Sequence, residues 1–276
     1  MFKRIVFCFL ALTVLSGFVF AAQVVVTDPR PGVVYALDVV DLGNVGPGQQ
    51  VSISIDRETG EESLIDSSQG GVWDQLNVLE NSLLPGWRGK NAKIYSKEPT
   101  AFVFVSKDAP SDSYEFELQA VDEYQGASPL TFSGKVFVTP DVLEFSVAER
   151  EVVAGVGSPA VYTLVVENTG SANDAFEVSV TGLPLAWNYS KTVYLQHHSK
   201  KTIRFEVGAK EPGNFDLVFA ATSKSSDKIK RTAKTRLVSK ASLLQELRAT
   251  GFGIGLFPSV EQPVLALLGF LANVFG

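Results

Sequence analysis

The chain has 276 residues, of which 45% are apolar and 20% are charged, as in ordinary globular proteins. Its only cysteine, Cys8, lies in an apolar N-terminal run, which excludes disulfides, thiolate metal sites and cysteine nucleophiles from the folded part. The formal net charge is −6, and this acidic balance argues against nucleic acid as a partner, because phosphate binding needs a basic surface.

Residues 1–22 have the pattern of an export signal. Lys3 and Arg4 provide a basic start, residues 5–20 form an apolar run, and Ala21 supplies the small residue that a signal peptidase requires. An uncleaved membrane anchor is the alternative, but the run is short for a helix that spans a bilayer. We therefore predict a signal helix that is removed on export to the cell surface.

Residues 23–139 show the alternation of apolar and polar side chains that is typical of β-strands. The pattern is clearest at residues 51–55, 101–105 and 114–118, and turn-forming segments such as 109–112 separate the runs. We predict an Ig-like antiparallel β-sandwich here. Because it contains 17 acidic and 8 basic residues (net −9), this part carries most of the negative charge.

Residues 61–71 have no counterpart later in the chain and predict an insertion beside Trp73. The position that corresponds to Trp73 in the second half is Asn173, so the tryptophan is not part of a repeated pattern. We identify Trp73 and Asp74 as candidate ligand-binding residues, with the indole stacking on a sugar ring. Packing in the core is the alternative, and it is the commoner environment of a tryptophan.

Two further groups of polar residues offer weak site candidates. Asp56, Glu58 and Glu62 present the hard oxygen ligands that calcium prefers, but the nearby glycine does not fit a twelve-residue calcium loop, and a solvated acidic loop is the alternative. The only histidines, His197 and His198, are adjacent and face opposite ways on a strand, which favours a turn over a metal site. We expect no metal, no cofactor and no enzymatic activity.

Residues 140–238 predict a second sandwich that repeats the first. Apolar side chains share one face at Tyr162, Leu164 and Val166, and again in later runs. Four positions of the first half have counterparts 100 residues later: Leu76 and Phe176, Val78 and Val178, Leu83 and Leu183, and Trp87 and Trp187. Because the tryptophan recurs, we assign Trp87 and Trp187 to core roles.

Three segments of this second half carry a family resemblance. They are the run Asn168-Thr-Gly-Ser-Ala-Asn-Asp-Ala-Phe176, the corner Leu183-Pro-Leu-Ala-Trp187 and the strand entry Pro212-Gly-Asn-Phe215. Together they resemble the NPCBM-associated Ig-like domain, which is appended to α-galactosidases and occurs in many prokaryotic, often archaeal, surface proteins. The resemblance covers about residues 140–238 and implies an accessory β-sandwich outside the cytoplasm, with residues 23–139 as a more distant copy.

Residues 228–236 form a basic run in the predicted last strand. Lys228, Lys230, Lys234 and Arg236 share one parity and therefore one face, which could contact anionic lipid headgroups or acidic polysaccharide. The alternative is a solvent-facing edge on which lysines deter pairing with another strand.

Residues 239–276 predict an amphipathic helix followed by an apolar segment that associates with a membrane. Residues 251–276 contain a single charge, Glu261, but Pro258 and Pro263 interrupt them, so spanning the bilayer, lying on it and docking on protein remain three alternatives. The predicted lipid contacts are Phe252, Leu256, Phe257, Leu267 and Phe270.

Taken together, these patterns predict an exported, membrane-associated protein of two tandem Ig-like sandwiches, with a structural or adhesive role through contacts with other envelope proteins. The alternative is a carbohydrate-binding accessory module that recognises surface glycans.

Overall fold

The computed structural model describes residues 22–63, 65, 70–184 and 189–241. Within these residues the chain is all-β, and its sheets pack in the manner of a β-sandwich. The predicted signal helix, the apolar C-terminal segment and Trp187 lie outside the described residues.

The first half of the protein, residues 22–139, is built from two sheets and a separate hairpin. One sheet has the order β2-β1-β4-β9-β8, the second has the order β3-β11-β10-β7, and β5 pairs with β6. The strands are β1 Val24–Asp28, β2 Gly32–Val34, β3 Val39–Val45, β4 Gln50–Ile55, β5 Glu58–Glu62, β6 Gly70–Val72, β7 Gln75–Val78, β8 Arg88–Lys90, β9 Thr100–Phe104, β10 Ser113–Val121 and β11 Leu130–Val138.

The second half, residues 140–241, is built from two sheets. They have the orders β12-β14-β17 and β13-β19-β18-β15-β16. The strands are β12 Leu143–Val147, β13 Glu151–Gly155, β14 Pro159–Asn168, β15 Asp174–Thr181, β16 Tyr189–Leu195, β17 Ser199–Gly208, β18 Gly213–Ser223 and β19 Lys230–Lys240.

Each half has its own hydrophobic core, made by the inward faces of its two sheets. In β14, for example, Tyr162, Leu164 and Val166 are buried while the residues between them are only partly covered, as the period of two predicts. Tyr162 packs against Phe219 of the opposite sheet with ring centroids 5.1 Å apart. Because the buried sets of the two halves form separate clusters, each half is held together mainly by its own packing.

The two halves repeat one strand order. In the first half β3 runs parallel to β11, which is followed across the sheet by β10 and β7; in the second half β13 runs parallel to β19, which is followed by β18 and β15. Two differences interrupt the repeat. The first half inserts the β5–β6 hairpin where an insertion is predicted, and β8 pairs with β9 whereas β16 pairs with β15.

Trp87 has the core position that its repetition predicts. Its side chain is buried and makes an edge contact with the ring of Tyr114, at 5.5 Å between centroids. Phe116 lies on the other side at 6.3 Å. The indole therefore closes the first sandwich after the Leu84-Pro85 corner.

The strand directions give the molecule two distinct ends and a junction between the halves. At one end of the first half, the backbone of Asn44 accepts a hydrogen bond from Ser171 of the second half. The turn between β10 and β11 lies at the opposite end of the first half, since those strands run antiparallel along its length. In the second half, β19 runs away from the junction, and Lys240 lies at the far end beside Val156.

Candidate functional site

Asp74 is a buried carboxylate that organises the loops at the free end of the first half. Its Oδ2 accepts a hydrogen bond from the backbone N–H of Glu123 at 3.0 Å, and its Oδ1 pairs with the guanidinium of Arg57 at 3.1 Å. Its backbone carbonyl accepts from the N–H of Tyr95 at 2.9 Å. One buried residue thus fixes the loop after β8 through its backbone carbonyl and the turn after β10 through its carboxylate.

These loops hold large apolar side chains out in solvent. Tyr95 is 60% exposed, Tyr124 is 68% exposed, and Leu37, in the turn before β3, is 85% exposed. Tyr95 and Leu37 have positive φ angles of 58° and 69°, a region that bulky residues rarely occupy. We call the side chains of Tyr35, Leu37, Ile94, Tyr95 and Tyr124 the tip.

Backbone hydrogen bonds keep Leu37 in its left-handed conformation. The N–H of Leu37 donates to the carbonyl of Thr131, and the N–H of Asp38 donates to the carbonyl of Tyr35. The Asp38 carboxylate also accepts from the N–H of Tyr35 at 2.9 Å. Strained conformations that the surroundings maintain are concentrated at functional sites, which makes the tip a candidate contact surface.

The phenol of Tyr95 stays neutral at physiological pH. Desolvation, together with the negative charges of Glu123 and Asp74, raises the pKa of Tyr95 above its ordinary value of 10.0. Its Oη lies 3.4 Å from the Glu123 carboxylate, to which it donates. The tip therefore combines aromatic faces with a carboxylate.

The predicted ligand-binding role of Trp73 does not agree with its environment. The indole is 0% exposed, and its Nε1 donates to the backbone carbonyl of Gln23 at 2.9 Å, so neither ring face can meet a ligand. Asp74 is buried as well and acts on the loops described above. Burial of the inserted hairpin against Gln23 is the reason, and the sequence gives no sign of that contact. The exposed tyrosines lie on the loops that Asp74 fixes.

The weak calcium candidate gains no support from the described side chains. Asp56 Oδ1 lies 3.4 Å from the backbone N–H of Glu58, within an ordinary turn. No three carboxylates or imidazoles converge among the side chains that the structure describes, and the side chain of Glu62 is outside that set. A three-carboxylate site at this hairpin stays a prediction.

A buried polar network joins the two halves. Asp174 Oδ2 accepts hydrogen bonds from Gln49 Nε2 of the first half at 2.7 Å and from Ser223 Oγ at 2.6 Å. Its Oδ1 accepts from Ser225 Oγ at 2.9 Å, while Gln49 Oε1 accepts from the N–H of Gly46. Every polar group of this network is paired, so its geometry fixes how the halves meet.

His197 adds a second link across the junction. The predicted turn at His197 and His198 is present, but His197 Nε2 also contacts Asp28 Oδ1 of the first half at 2.8 Å. Its Nδ1 is buried without a hydrogen-bond partner in the described part of the chain, so the ring is held across the junction through Nε2. Sequence reasoning missed the pair, since its members lie far apart in the chain.

A cleft of about 580 Å³ opens beside the polar network, between the outer faces of the two halves. Tyr194, which is 76% exposed, and Phe104 contribute aromatic surface from opposite sides. Gln50 and Gln196 line it, and their side-chain amides make no hydrogen bond within the described residues. Aromatic faces beside free amides are the groups that bind polyols.

Of the basic run, Lys230, Lys234 and Arg236 are exposed on one face of β19, and Lys228 lies in the turn before it. Lys228 pairs with Asp108 of the first half at 3.6 Å, and Arg236 pairs with Asp216 at 3.2 Å. Lys230 and Lys234 are exposed and have no ion pair among the residues that the structure describes. Contact of this face with a lipid or an acidic polymer stays a prediction.

The predicted lipid-contact residues fall outside the described residues; they are Phe252, Leu256, Phe257, Leu267 and Phe270. No helix among the described residues is long and apolar enough to span a bilayer.

Comparisons with known proteins give distant structural likenesses. No family model and no curated protein matches the chain. A chimeric titin Z1Z2 carrying an exogenous decorin peptide is 13% identical, with a TM-score of 0.35, over 80% of this chain and 99% of that one. A β-glucosidase from Listeria innocua is 13% identical, with a TM-score of 0.26, over 36% of this chain.

A PapD-like domain of human CEP192 is 12% identical, with a TM-score of 0.26, over 38% of this chain and 88% of that one. In the comparison with the β-glucosidase, the matched region covers only 16% of the length of that enzyme.

Proposed function

We propose that the protein is an exported structural or adhesive component of the cell surface, made of two tandem Ig-like sandwiches and held at the membrane by residues 239–276. The observation that carries this proposal is that the two ends of the molecule differ. The tip lies at one end, and β19 ends at the other, where the sequence continues toward the apolar segment. A protein held by its C-terminal residues would present the tip away from the membrane. The resemblance of residues 140–238 to NPCBM-associated Ig-like domains is in keeping with this role.

The junction supports a role as a spacer. Gln49 and Asp174 join the halves through a buried hydrogen bond, and Asp28 and His197 add a second link. A fixed junction transmits the position of one end to the other. Relative motion is otherwise the usual behaviour of two units that share a small interface.

Fractionation of cells that express the full chain or a version ending at Arg248 tests the proposal. We expect the full chain in the membrane fraction and the shortened version in the soluble exported fraction, because residues 251–276 carry only one charge. A full-length variant in which Ser replaces Phe257 and Phe270 keeps the length of the chain and makes its C-terminal segment less apolar. It therefore shows whether membrane attachment depends on the apolar side chains or on the length of the segment. Equal partitioning of all three proteins into the soluble fraction would reject membrane attachment.

A carbohydrate-binding module is the second candidate function, favoured by the exposed Tyr194 in the junction cleft. We expect Tyr194→Ala to abolish binding to a glycan array, whereas Tyr124→Ala, which removes an exposed ring from the tip, leaves it unchanged. If the unmodified protein binds no glycan, or if both variants lose binding equally, the cleft is not a sugar site.

A further inference from the structure

The tip and the outer face of β19 have opposite chemistry. The tip lies in the half that carries net −9, and Asp38 and Glu123 stand beside its exposed rings. Lys93 and Lys97 flank the tip and offset only part of this charge. Across the molecule, Lys230 and Lys234 are exposed cations without ion pairs in the described part of the chain.

The apolar parts of the two surfaces are also complementary. Lys234 is the cross-strand partner of Val218, and Val153 of the neighbouring strand is exposed on the same sheet. Lysine stems and valines give a surface on which aromatic rings pack, and a lysine ammonium is attracted to the face of a tyrosine. The tyrosine rings of the tip can thus pack on the lysine stems of β19, and the lysine ammonium groups can contact the faces of the rings.

The dimensions of the two surfaces agree. Lys230 and Lys234 are four residues apart on one strand, a distance of about 13 Å. Asp38 precedes β3 and Glu123 follows β10, and these strands are two strand spacings apart, which gives roughly 10 Å. Both carboxylates can therefore approach a lysine at the same time.

We propose that the partner of the tip is the β19 face of a second copy of this chain. The contact is head to side, with different surfaces on the two copies, so it continues into open arrays and does not stop at a symmetric dimer. A contact between two tips is disfavoured, because it would bring like charges together. The inference rests on the proposed structural role, for which it names the partner.

Sedimentation of the purified full chain, in a detergent that covers the apolar C-terminal residues, tests the contact. We expect association that grows with concentration at low ionic strength and weakens with added salt. A tip variant, Glu123→Lys with Tyr124→Lys, and a face variant, Lys230→Gln with Lys234→Gln, should each associate at least about tenfold more weakly. The control is Lys191→Gln with Lys201→Gln, which makes the same charge change as the face variant on other exposed lysines and should associate like the unmodified chain.

Mixing the two variants gives the decisive result. The face variant keeps an intact tip and the tip variant keeps an intact face, so the mixture should form a 1:1 complex that does not grow further. A monomeric unmodified chain, a mixture that does not associate, or a control that loses association as strongly would each overturn the proposal. None of these results depends on membrane fractionation, so the two proposals can fail separately.

Discussion

At the scale of single residues, Glu149 shows how a backbone contact fixes a charge. Burial alone would raise the pKa of Glu149, but the hydrogen bond that its carboxylate accepts from the Thr163 backbone N–H lowers it below the ordinary value of 4.5. The folded state therefore favours the ionised form more than the unfolded state does. This contribution is present above about pH 4.5 and is lost as the pH falls through the folded pKa.

We predict that Glu149→Gln reduces the loss of stability on acidification. The amide oxygen can still accept from Thr163 but does not titrate, so the urea midpoint should fall less between neutral pH and about pH 3 than in the unmodified chain. Glu211→Gln, which alters an exposed turn carboxylate, is the matched control and should keep the original slope. Identical slopes for both variants would contradict the assignment.

Single residues also mark where sequence reasoning about the site stops. Trp73 stands out in the sequence because it breaks the repeat, and the structure buries it against Gln23. Tyr95 and Tyr124 do not stand out, since their loops are held by hydrogen bonds to Asp74, a distant residue, and in the case of Tyr124 also to Asp122. Alternation reports which side of a strand faces the core, but it carries no information on loops fixed by long-range polar contacts.

At the scale of elements, the strands were the predictable part of the fold. Residues 51–55 and 114–118 fall in β4 and β10, and residues 101–104 of the third run fall in β9, because alternation directly reports one buried face. Local patterns do not specify which sheet an edge strand joins. This is why the different pairing of β8 and β16 could not be predicted from the sequence.

We predict that Gly182→Ala weakens the end of β15. Gly182 has a φ of +101°, and an added Cβ would lie 2.0 Å from the Asp216 carbonyl oxygen. Strain and overlap together should cost at least about 2 kcal/mol of unfolding free energy in urea denaturation. Gly213→Ala is the control, since its Cβ would meet only the Phe215 ring at 3.4 Å and should cost well under that. Equal losses would show that the turn can move.

At the scale of the whole molecule, we expect the polar network at the junction to couple the unfolding of the two halves. Two separate cores would unfold independently if nothing joined them. Asp174, however, accepts hydrogen bonds from one side chain of the first half and from two side chains of the second half. We predict a single calorimetric transition for the unmodified chain. Asp174→Ala should split this transition into two. Loss of the carboxylate leaves buried hydrogen-bond donors without an acceptor, at a cost of about 2–3 kcal/mol of unfolding free energy.

Asp216→Ala, which removes an exposed carboxylate of the second half, is the control for this experiment and should keep one transition. A single transition in both variants would mean that packing, not the polar network, couples the halves.

The parallel pairing of β3 with β11 and of β13 with β19 has a mechanical consequence. Tension applied to Lys240 acts along β19, and β13 runs beside it in the same direction. Parallel strands under such tension slide past each other. Five residue pairs join β13 to β19 and bear the load together, from the pair of Glu151 with Arg236 to the pair of Gly155 with Lys240. The second half would then resist stretching by shear, and it would yield abruptly when the load-bearing ladder breaks.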